Sequence, residues 1–263
     1  MTDEPRPPRE RVINLSVEVA GTPEEVWEAV ATGPGISSWY VPTTVEERDG
    51  GATTSRFGEG PEMLIPGVVT AWEPPHRVVF AGGEAAPGFA FEWLVEARDE
   101  GTCVVRLVNT GFVEGTPWDD QYDGMTDGWK LFLHNLQLHQ AYFPGQAGTP
   151  VLPTAMWSGP RLDAWARLTQ SRGLPSAPAA GARGAASAAD APALIGTVVQ
   201  AEPWRMSLLL DQPAPGTAFL AAEGEGEHIA VSVWLYVYGE GSVAIAARDE
   251  PRWAAWLQTH AAP

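Results

Sequence analysis

Two neighbouring segments of the chain alternate between apolar and polar residues, and this pattern constrains the fold most. The apolar positions of the two segments are Phe89, Phe91, Trp93 and Val95, then Cys103, Val105 and Leu107. Period-two alternation is typical of strands with one buried face. From about residue 126 to 143 the apolar residues recur instead at helical spacing. The sequence therefore predicts an antiparallel meander with one aromatic face, followed by a long amphipathic helix.

The residues before the meander predict a compact start to the same domain. Residues 12–19 alternate and indicate a strand. Thr22, Pro23 and Glu25 then have the spacing of a helix start, in which Thr22 caps and Glu25 completes a capping box. Short strands separated by Gly-rich turns fill residues 44–110. We predict an α+β domain over residues 12–146, preceded by a flexible tail over residues 1–11.

The second half of the chain differs from the first in composition and in its predicted elements. We predict a connecting helical segment over residues 147–175 and a flexible linker over the Ala-rich residues 176–192. Residues 193–263 form a smaller α+β half, with its last strand predicted at 242–247 and a final helix starting at Pro251.

One pair of octapeptides links the two halves. Residues 67–74 read GVVTAWEP and residues 196–203 read GTVVQAEP. Both are followed by an apolar strand, a turn, two long strands and a Trp-bearing helix. This shared order predicts that the second half is a degenerate repeat of the first.

Charge and cysteine content exclude several classes of function. Lys and Arg total 16 against 33 Asp and Glu, which gives a net charge of −17. Such a field repels phosphate backbones and anionic lipid, so we predict neither nucleic-acid nor membrane binding. The single cysteine, Cys103, excludes an intramolecular disulfide. With no signal-peptide pattern and no long apolar stretch, we expect a soluble, cytoplasmic protein.

Four segments together resemble a known family. They are residues 22–27 (TPEEVW) leading to Trp39-Tyr40, residues 67–69 leading to 74–80 (PPHRVVF), residues 101–107 (GTCVVRL) leading to Gly111-Phe112, and residues 128–133 (GWKLFL). Their order is similar to that of the activator of heat-shock protein 90 ATPase homologue family, within the SRPBCC or START-like superfamily. The resemblance covers residues 12–145. It implies a helix-grip fold, in which a curved antiparallel sheet wraps around a long C-terminal helix and encloses a cavity.

The resemblance also implies where a ligand would bind. A concave, mostly apolar site with a few polar groups is typical of small-molecule binding. We expect the cavity to be lined by Trp39, Tyr40, Phe57, Phe80, Phe91, Trp93, Leu107, Asn109, Trp129 and Leu133. The leading hypothesis is therefore a noncatalytic protein that holds a hydrophobic or aromatic small molecule.

Two other functions stay open at this point. A polyketide cyclase- or hydratase-like enzyme would use Asn109, Tyr40 or His76 as polar helpers inside the cavity. The family's name also implies a chaperone cofactor that binds a protein partner. We predict no catalytic residues, no cofactor and no metal site. His134 and His139 are five residues apart on the long helix, a spacing that places them on different faces. Cys103 lies in an apolar strand, where a buried, inert thiol is expected.

Overall fold

A computed structural model describes residues 9–115, 119–186, 191–226 and 228–261. The chain divides into two compact units, Met1–Gly145 (unit 1) and Gln146–Pro263 (unit 2). Residues 1–8 of the predicted tail lie outside the described residues. The last two residues of that tail, Glu10 and Arg11, belong to the first strand, so the ordered sheet begins earlier than predicted.

Unit 1 is an antiparallel sheet with helices on one face. Its strands and helices, in chain order, are β1 Glu10–Ala20, α1 Pro23–Ala31, α2 Gly33–Ser37, β2 Thr43–Val45, β3 Ala52–Arg56, β4 Leu64–Glu73, β5 Arg77–Ala81, β6 Ala90–Ala97, β7 Thr102–Val113 and α3 Tyr122–Tyr142. The strand order across the sheet is β1-β7-β6-β5-β4-β3-β2. The long helix α3 contacts β1. This is the predicted α+β, helix-grip architecture.

The start of α1 confirms the predicted capping box. Thr22 Oγ1 accepts a hydrogen bond from the Glu25 backbone N–H (3.3 Å), and Glu25 Oε2 accepts one from the Thr22 backbone N–H (2.8 Å). Pro23 occupies the first helical turn, where its missing N–H costs nothing. These local bonds fix where β1 ends and where α1 begins.

Helix α3 begins four residues earlier than its apolar periodicity predicts. Tertiary contacts stabilise the extra turn: the Tyr122 hydroxyl donates to the Val12 carbonyl (3.2 Å), and the Arg11 guanidinium lies 4.1 Å from the centre of the Tyr122 ring. Arg11 also forms an ion pair with Asp119 (2.6 Å). Contacts between residues more than a hundred positions apart leave no local signal, which explains the missed turn.

Unit 2 is a second antiparallel sheet with its own helices. Its elements are β8 Gly148–Val151, β9 Thr154–Ser158, α4 Arg161–Ser171, β10 Arg183–Ala186, β11 Leu194–Glu202, β12 Arg205–Gln212, β13 Gly216–Glu223, β14 His228–Tyr238 and α5 Ser242–Thr259. The strand order is β10-β11-β12-β13-β14-β8, and β9 also pairs with β14. Helices α4 and α5 pack on this sheet around Trp157, Trp165, Trp253 and Trp256.

Sheet topology confirms the predicted repeat. In unit 1 the first strand, β1, pairs with the last, β7, and the order then runs backwards through β6, β5 and β4 to β3. In unit 2 the first strands, β8 and β9, pair with the last, β14, and the order runs backwards to β10. In each unit a long helix follows the last strand. The matching octapeptides form equivalent strands, β4 and β11.

A register shift occurs at the same place in both copies. The β4–β5 pairing shifts between Val69 and Ala71, and the β11–β12 pairing shifts between Val198 and Gln200. These positions coincide when the two octapeptides are aligned. A bulge adds a residue to one strand and increases the local twist, so its conservation between copies indicates a shared sheet curvature.

Two segments of unit 2 that were predicted as connections contribute strands to the sheet. Residues 147–175, predicted as a connecting helical segment, contain the helix α4 but also contribute the strands β8 and β9 to the sheet. Part of the predicted Ala-rich linker forms β10, which pairs with β11; residues 187–190 of it lie outside the described residues. Strand β10 is short and rich in Ala and Gly, so it has little periodicity. Strands β8 and β9 are also short, and their partner β14 is distant in sequence.

The predicted strand at 242–247 is wrong, because these residues form the first turns of α5. Alanine-rich sequence has high helix propensity. Gly241, in the left-handed region at φ 84°, precedes the helix. Pro251 lies inside α5 rather than at its start.

His139, on α3, makes the stability of the protein depend on pH. Burial lowers the pKa of His139 from 6.5 to about 4. Between these two pKa values, the His139 imidazole is therefore protonated in the unfolded chain and neutral in the folded chain. We expect the free energy of unfolding to fall by up to about 3 kcal/mol as pH decreases from 6.5 to about 4.

The check is urea unfolding at several pH values for the wild type and for His139→Gln. The difference in pH dependence between the two proteins isolates His139 from the carboxylates that titrate in the same range. The exposed His76, replaced by Gln, is the matched control for a His-to-Gln substitution at the surface of the same unit. Identical pH dependence in the wild type and His139→Gln would contradict the assignment.

Candidate functional site

Trp129, on the sheet-facing side of α3, is the centre of an aromatic cluster in unit 1. Its ring stacks on Tyr40 at 5.0 Å between centroids. It meets Phe91 at 5.2 Å and Trp93 at 5.5 Å, both edge to face, and Phe132 at 6.1 Å. Edge-to-face and offset arrangements are the favourable ones for aromatic pairs. These five side chains are called the aromatic cluster below.

The chain that follows helix α2 places Tyr40 in this cluster. The preceding residue, Trp39, is fully buried, and its indole N–H donates to the Ala29 carbonyl of α1 (2.8 Å). The Asn135 side-chain amide on α3 donates to the Trp39 carbonyl (2.8 Å). Trp39 also meets Trp93 edge to face at 5.6 Å. The backbone at Trp39 is thus held from two sides, and the position of the Tyr40 ring follows from it.

Asn109 fixes the orientation of Trp129. Its side-chain oxygen accepts a hydrogen bond from the Trp129 indole N–H (3.2 Å). Its side-chain nitrogen donates to the carbonyls of Ala90 (2.9 Å) and Thr110 (3.3 Å). Asn109 is fully buried, and both the oxygen and the nitrogen of its side-chain amide are hydrogen-bonded within the protein. We assign it a positioning role.

The sheet contributes two cross-strand rows to the same region. Phe80 on β5 lies opposite Phe91 on β6, which lies opposite Asn109 on β7. Trp93 lies opposite Leu107 in the next row on the same face. Trp93 and Leu107 are buried, whereas Phe80 and Phe91 are only half-buried although they lie on the helix-facing side.

Tyr40 is the partly accessible member of the aromatic cluster with a polar group. It is half-buried, yet burial raises the pKa of its hydroxyl well above the usual value. Its hydroxyl has no hydrogen-bond partner within the described part of the chain. Phe80 and Phe91 are half-buried as well. The region in front of the accessible parts of Tyr40, Phe80 and Phe91 is called the recess below.

Phe57 lies at the rim of this recess. It follows β3, its side chain meets the Tyr40 ring edge to face at 5.9 Å, and it is 45% exposed. The sequence predicted Phe57 as an inward-facing residue. The structure instead leaves the Phe57 side chain exposed to solvent just after the end of β3 at Arg56.

The structure brings the other predicted residues into one region of unit 1. Leu133 is buried one helical turn after Trp129, and Leu107 lies beside Trp93 on the sheet. Sequence reasoning missed Phe132, whose ring meets Tyr40 edge to face at 4.5 Å. Phe132 belongs to the apolar stripe of α3, and its position beside Leu131 and Leu133 was the available signal.

The remaining chemically versatile residues lie elsewhere or are bonded to protein. His76 is exposed in the β4–β5 turn. The buried Cys103 thiol donates to the Gly21 carbonyl (3.3 Å), and burial raises the pKa of this thiol. Within the described ranges, no group of three or more His, Cys, Asp or Glu side chains could hold a metal ion. None of the described helices is long and apolar enough to cross a membrane.

Comparisons with solved structures return proteins of low identity. A Bacillus halodurans protein is 20% identical, with 51% of this chain and 99% of that chain covered and a TM-score of 0.44. The Aha1 dimer from Colwellia psychrerythraea is 22% identical, with coverages of 50% and 97% and a TM-score of 0.43. The di-domain ARO/CYC BexL from the BE-7585A biosynthetic pathway is 18% identical, with 95% of both chains covered and a TM-score of 0.43.

No curated protein matches the sequence of this chain. A family model does match, and it is described as activator of Hsp90 ATPase homolog 1-like protein. The match extends over residues 20–139, from the end of β1 to the last turn of α3. It includes every residue of the aromatic cluster, Asn109 and the rim residue Phe57. Residues 20–139, which form most of unit 1, therefore belong to the activator of Hsp90 ATPase homolog 1-like family.

Proposed function

We propose that unit 1 binds an uncharged, largely aromatic small molecule in the recess beside Tyr40, without catalysing its conversion. The observation that carries this proposal is Tyr40 itself. Its phenol combines partial burial, aromatic neighbours on several sides and a hydroxyl without a hydrogen-bond partner in the described residues. A flat apolar ligand with one polar substituent would contact these rings and bond to this hydroxyl.

Charge supports an uncharged ligand. Unit 1 holds 9 Lys and Arg against 23 Asp and Glu, a net charge of −14. An anion would meet this field on approach and would find only aromatic faces and a phenol at the recess. A neutral molecule is not repelled by this field and needs no charged partner at the recess. Burial of its apolar surface stabilises the complex by about 25 cal/mol per Å².

The hydrogen bonds, positions and protonation of the candidate polar side chains support ligand binding rather than catalysis. General acid–base catalysis needs a group free to exchange a proton with the substrate. Asn109, a helper in the cyclase hypothesis, already bonds Trp129, Ala90 and Thr110, and His76 lies exposed in a turn. Tyr40 keeps its proton because burial raises the pKa of its hydroxyl. A single neutral phenol is suited to holding and orienting a ligand.

The test compares two probes of nearly equal shape, naphthol and naphthalene. Binding is followed through quenching of tryptophan fluorescence, since Trp129 and Trp93 border the recess. We expect Tyr40→Phe to weaken naphthol binding about fivefold, the value of one neutral hydrogen bond of about 1 kcal/mol. Naphthalene binding should be unchanged. Tyr142→Phe, which alters an exposed tyrosine on the same helix as Trp129, is the matched control.

Three results would contradict the proposal. They are failure of both probes to bind, an equal loss for both probes in Tyr40→Phe, or the same loss in Tyr142→Phe. Each would mean that the phenol of Tyr40 does not receive the polar substituent of a bound ligand.

A further inference from the structure

The register of the unit 1 sheet places Ser55 on its helix-facing side. Val69 on β4 lies in the same cross-strand row as Phe91, whose ring contacts α3, so this row faces the helices. Gly67, two residues before Val69, lies opposite Thr53 on β3. Because side chains alternate between the two faces along a strand, Gly67 and Thr53 belong to the same face as Val69. Ser55, two residues after Thr53, therefore faces the helices as well.

This face of the sheet is covered at one end and accessible at the other. Val95 and Val105, which pair on β6 and β7, are at most 2% exposed. By contrast, Ser55 is half-buried, and Phe57, two residues further along the chain, is 45% exposed. The Phe57 ring meets the Tyr40 ring at 5.9 Å between centroids. A molecule that contacts Phe57 and Tyr40 can therefore reach the Ser55 side chain.

The proton of the Ser55 hydroxyl is already used within the protein. Ser55 Oγ lies 3.1 Å from Thr43 Oγ1 on the neighbouring strand β2, and Thr43 Oγ1 donates to the Val41 carbonyl (2.9 Å). A hydroxyl has one proton to donate. Because Thr43 gives its proton to Val41, the proton between the two hydroxyls is that of Ser55. Ser55 Oγ is therefore available to a ligand as an acceptor, and none of the described residues donates a hydrogen bond to it.

Ser55 and Tyr40 are close enough to contact one small molecule. Phe57, whose ring meets Tyr40, lies about 7 Å from Ser55 along the strand, at about 3.4 Å per residue. The chain from Tyr40 to Thr43, the partner of Ser55, extends over about 10 Å at most. A molecule of two fused rings has a comparable length. Two polar groups, the Tyr40 phenol and the Ser55 hydroxyl, are thus within reach of the same ligand.

From these observations we infer that the ligand of unit 1 carries a second polar substituent, a hydroxyl or N–H group that donates a hydrogen bond to Ser55 Oγ. The inference rests on the proposed binding at Tyr40, which receives the first substituent, and it makes Ser55 a specificity-determining residue. An ether or carbonyl oxygen in the second position would meet Ser55 Oγ with no proton between the two acceptors, which is unfavourable. The ligand class is an uncharged aromatic molecule with hydrogen-bond donors at two ends.

The experiment compares three kinds of probe in the full chain by quenching of tryptophan fluorescence. They are 2-naphthol, the 2,6 and 2,7 isomers of dihydroxynaphthalene, and the corresponding methoxynaphthols, in which one hydroxyl is methylated. We expect the better dihydroxy isomer to bind about tenfold more tightly than 2-naphthol, a factor of about two for its equivalent hydroxyls and about five for one neutral hydrogen bond. The methoxynaphthols should bind no more tightly than 2-naphthol, because they lack the second donor.

Three variants assign the second hydrogen bond to Ser55. Ser55→Ala should reduce the preference for the dihydroxy probe to about twofold and leave 2-naphthol binding unchanged. Thr54→Ala, which removes a half-buried hydroxyl from the opposite face of the same strand, is the matched control and should keep the full preference. Thr43→Val frees the Ser55 proton for donation, so we expect the methoxynaphthols to gain affinity relative to 2-naphthol in this variant.

The inference fails if 2-naphthol binds with the expected dependence on Tyr40 but neither dihydroxy isomer binds more than about twofold more tightly. It fails equally if the methoxynaphthols bind as tightly as the dihydroxy probes, or if Ser55→Ala and Thr54→Ala have the same effect. In each of these cases the proposed binding at Tyr40 itself stands. Failure of every probe to bind overturns the proposed function together with this inference.

Discussion

Replacing Trp129 by alanine is expected to lower the free energy of unfolding of the protein by about 3–5 kcal/mol. The side chain is 4% exposed and contacts Tyr40, Phe91, Trp93 and Phe132, so its removal leaves a large cavity at the centre of the aromatic cluster. It also removes the donor to the buried Asn109 oxygen (3.2 Å). Urea unfolding followed by far-ultraviolet circular dichroism measures the loss.

Two further variants separate packing from hydrogen bonding at Trp129. Trp129→Phe keeps an aromatic ring but cannot bond Asn109, so we expect an intermediate loss of about 1–3 kcal/mol. Tyr142→Ala removes a 52% exposed ring from the same helix and should change stability by less than about 1 kcal/mol. A Trp129→Ala protein as stable as Tyr142→Ala would show that Trp129 is not the centre of the unit 1 core.

Replacing Gly35 by alanine is expected to destabilise the protein by about 3 kcal/mol or more, because it forces two helices apart. A Cβ at Gly35 would lie 1.9 Å from the Glu28 carbonyl oxygen and 2.8 Å from the Ala29 Cα, both backbone atoms of α1. Backbone atoms cannot rotate away as a flexible side chain can. Helix α2 would have to shift, and it carries the chain directly into Trp39 and Tyr40.

We therefore expect Gly35→Ala to reduce naphthol binding as well as stability. Gly124→Ala is the matched control, since Gly124 is exposed on α3 and a Cβ there meets nothing within 4 Å. In a helix, alanine is favoured over glycine by about 0.5–1 kcal/mol, so this variant should be slightly more stable than the wild type. Differential scanning calorimetry and naphthol titration of both variants provide the comparison. Equal melting temperatures for the two would contradict the close approach of α1 and α2.

Sequence reasoning identified the elements whose pattern is local. The alternation of residues 89–95 and 103–109 became β6 and β7, and the spacing of Thr22, Pro23 and Glu25 became the capped start of α1. The octapeptides beginning at Gly67 and Gly196 became equivalent strands with the same register shift. The first two signals depend on residues within about eight positions of one another, and the third depends on the comparison of two such short segments, so a single sequence displays all of them.

Features that depend on distant partners were not predicted. Strands β8 and β9 pair with β14, 70–90 residues further along the chain. Strand β10 was missed for another reason, because its Ala and Gly residues have no strand periodicity. Asn109 was considered as a ligand-binding group, but its bond to Trp129 requires knowing that α3 crosses β7 at that point. The buried Arg172 and its contacts with Trp253 and Trp256 likewise join residues about eighty positions apart. Such pairs become visible only in three dimensions.

The most direct test of ligand binding in unit 1 is the location of bound naphthol, measured by intermolecular NOEs in the full-length protein. The recess described above predicts NOEs from the naphthol ring to the side chains of Tyr40, Phe91 and Trp129. It also predicts weaker contacts with Phe57 at the rim. NOEs confined to exposed residues such as Ile65 and Tyr142, or none at saturating naphthol, would contradict a ligand site between the sheet and α3.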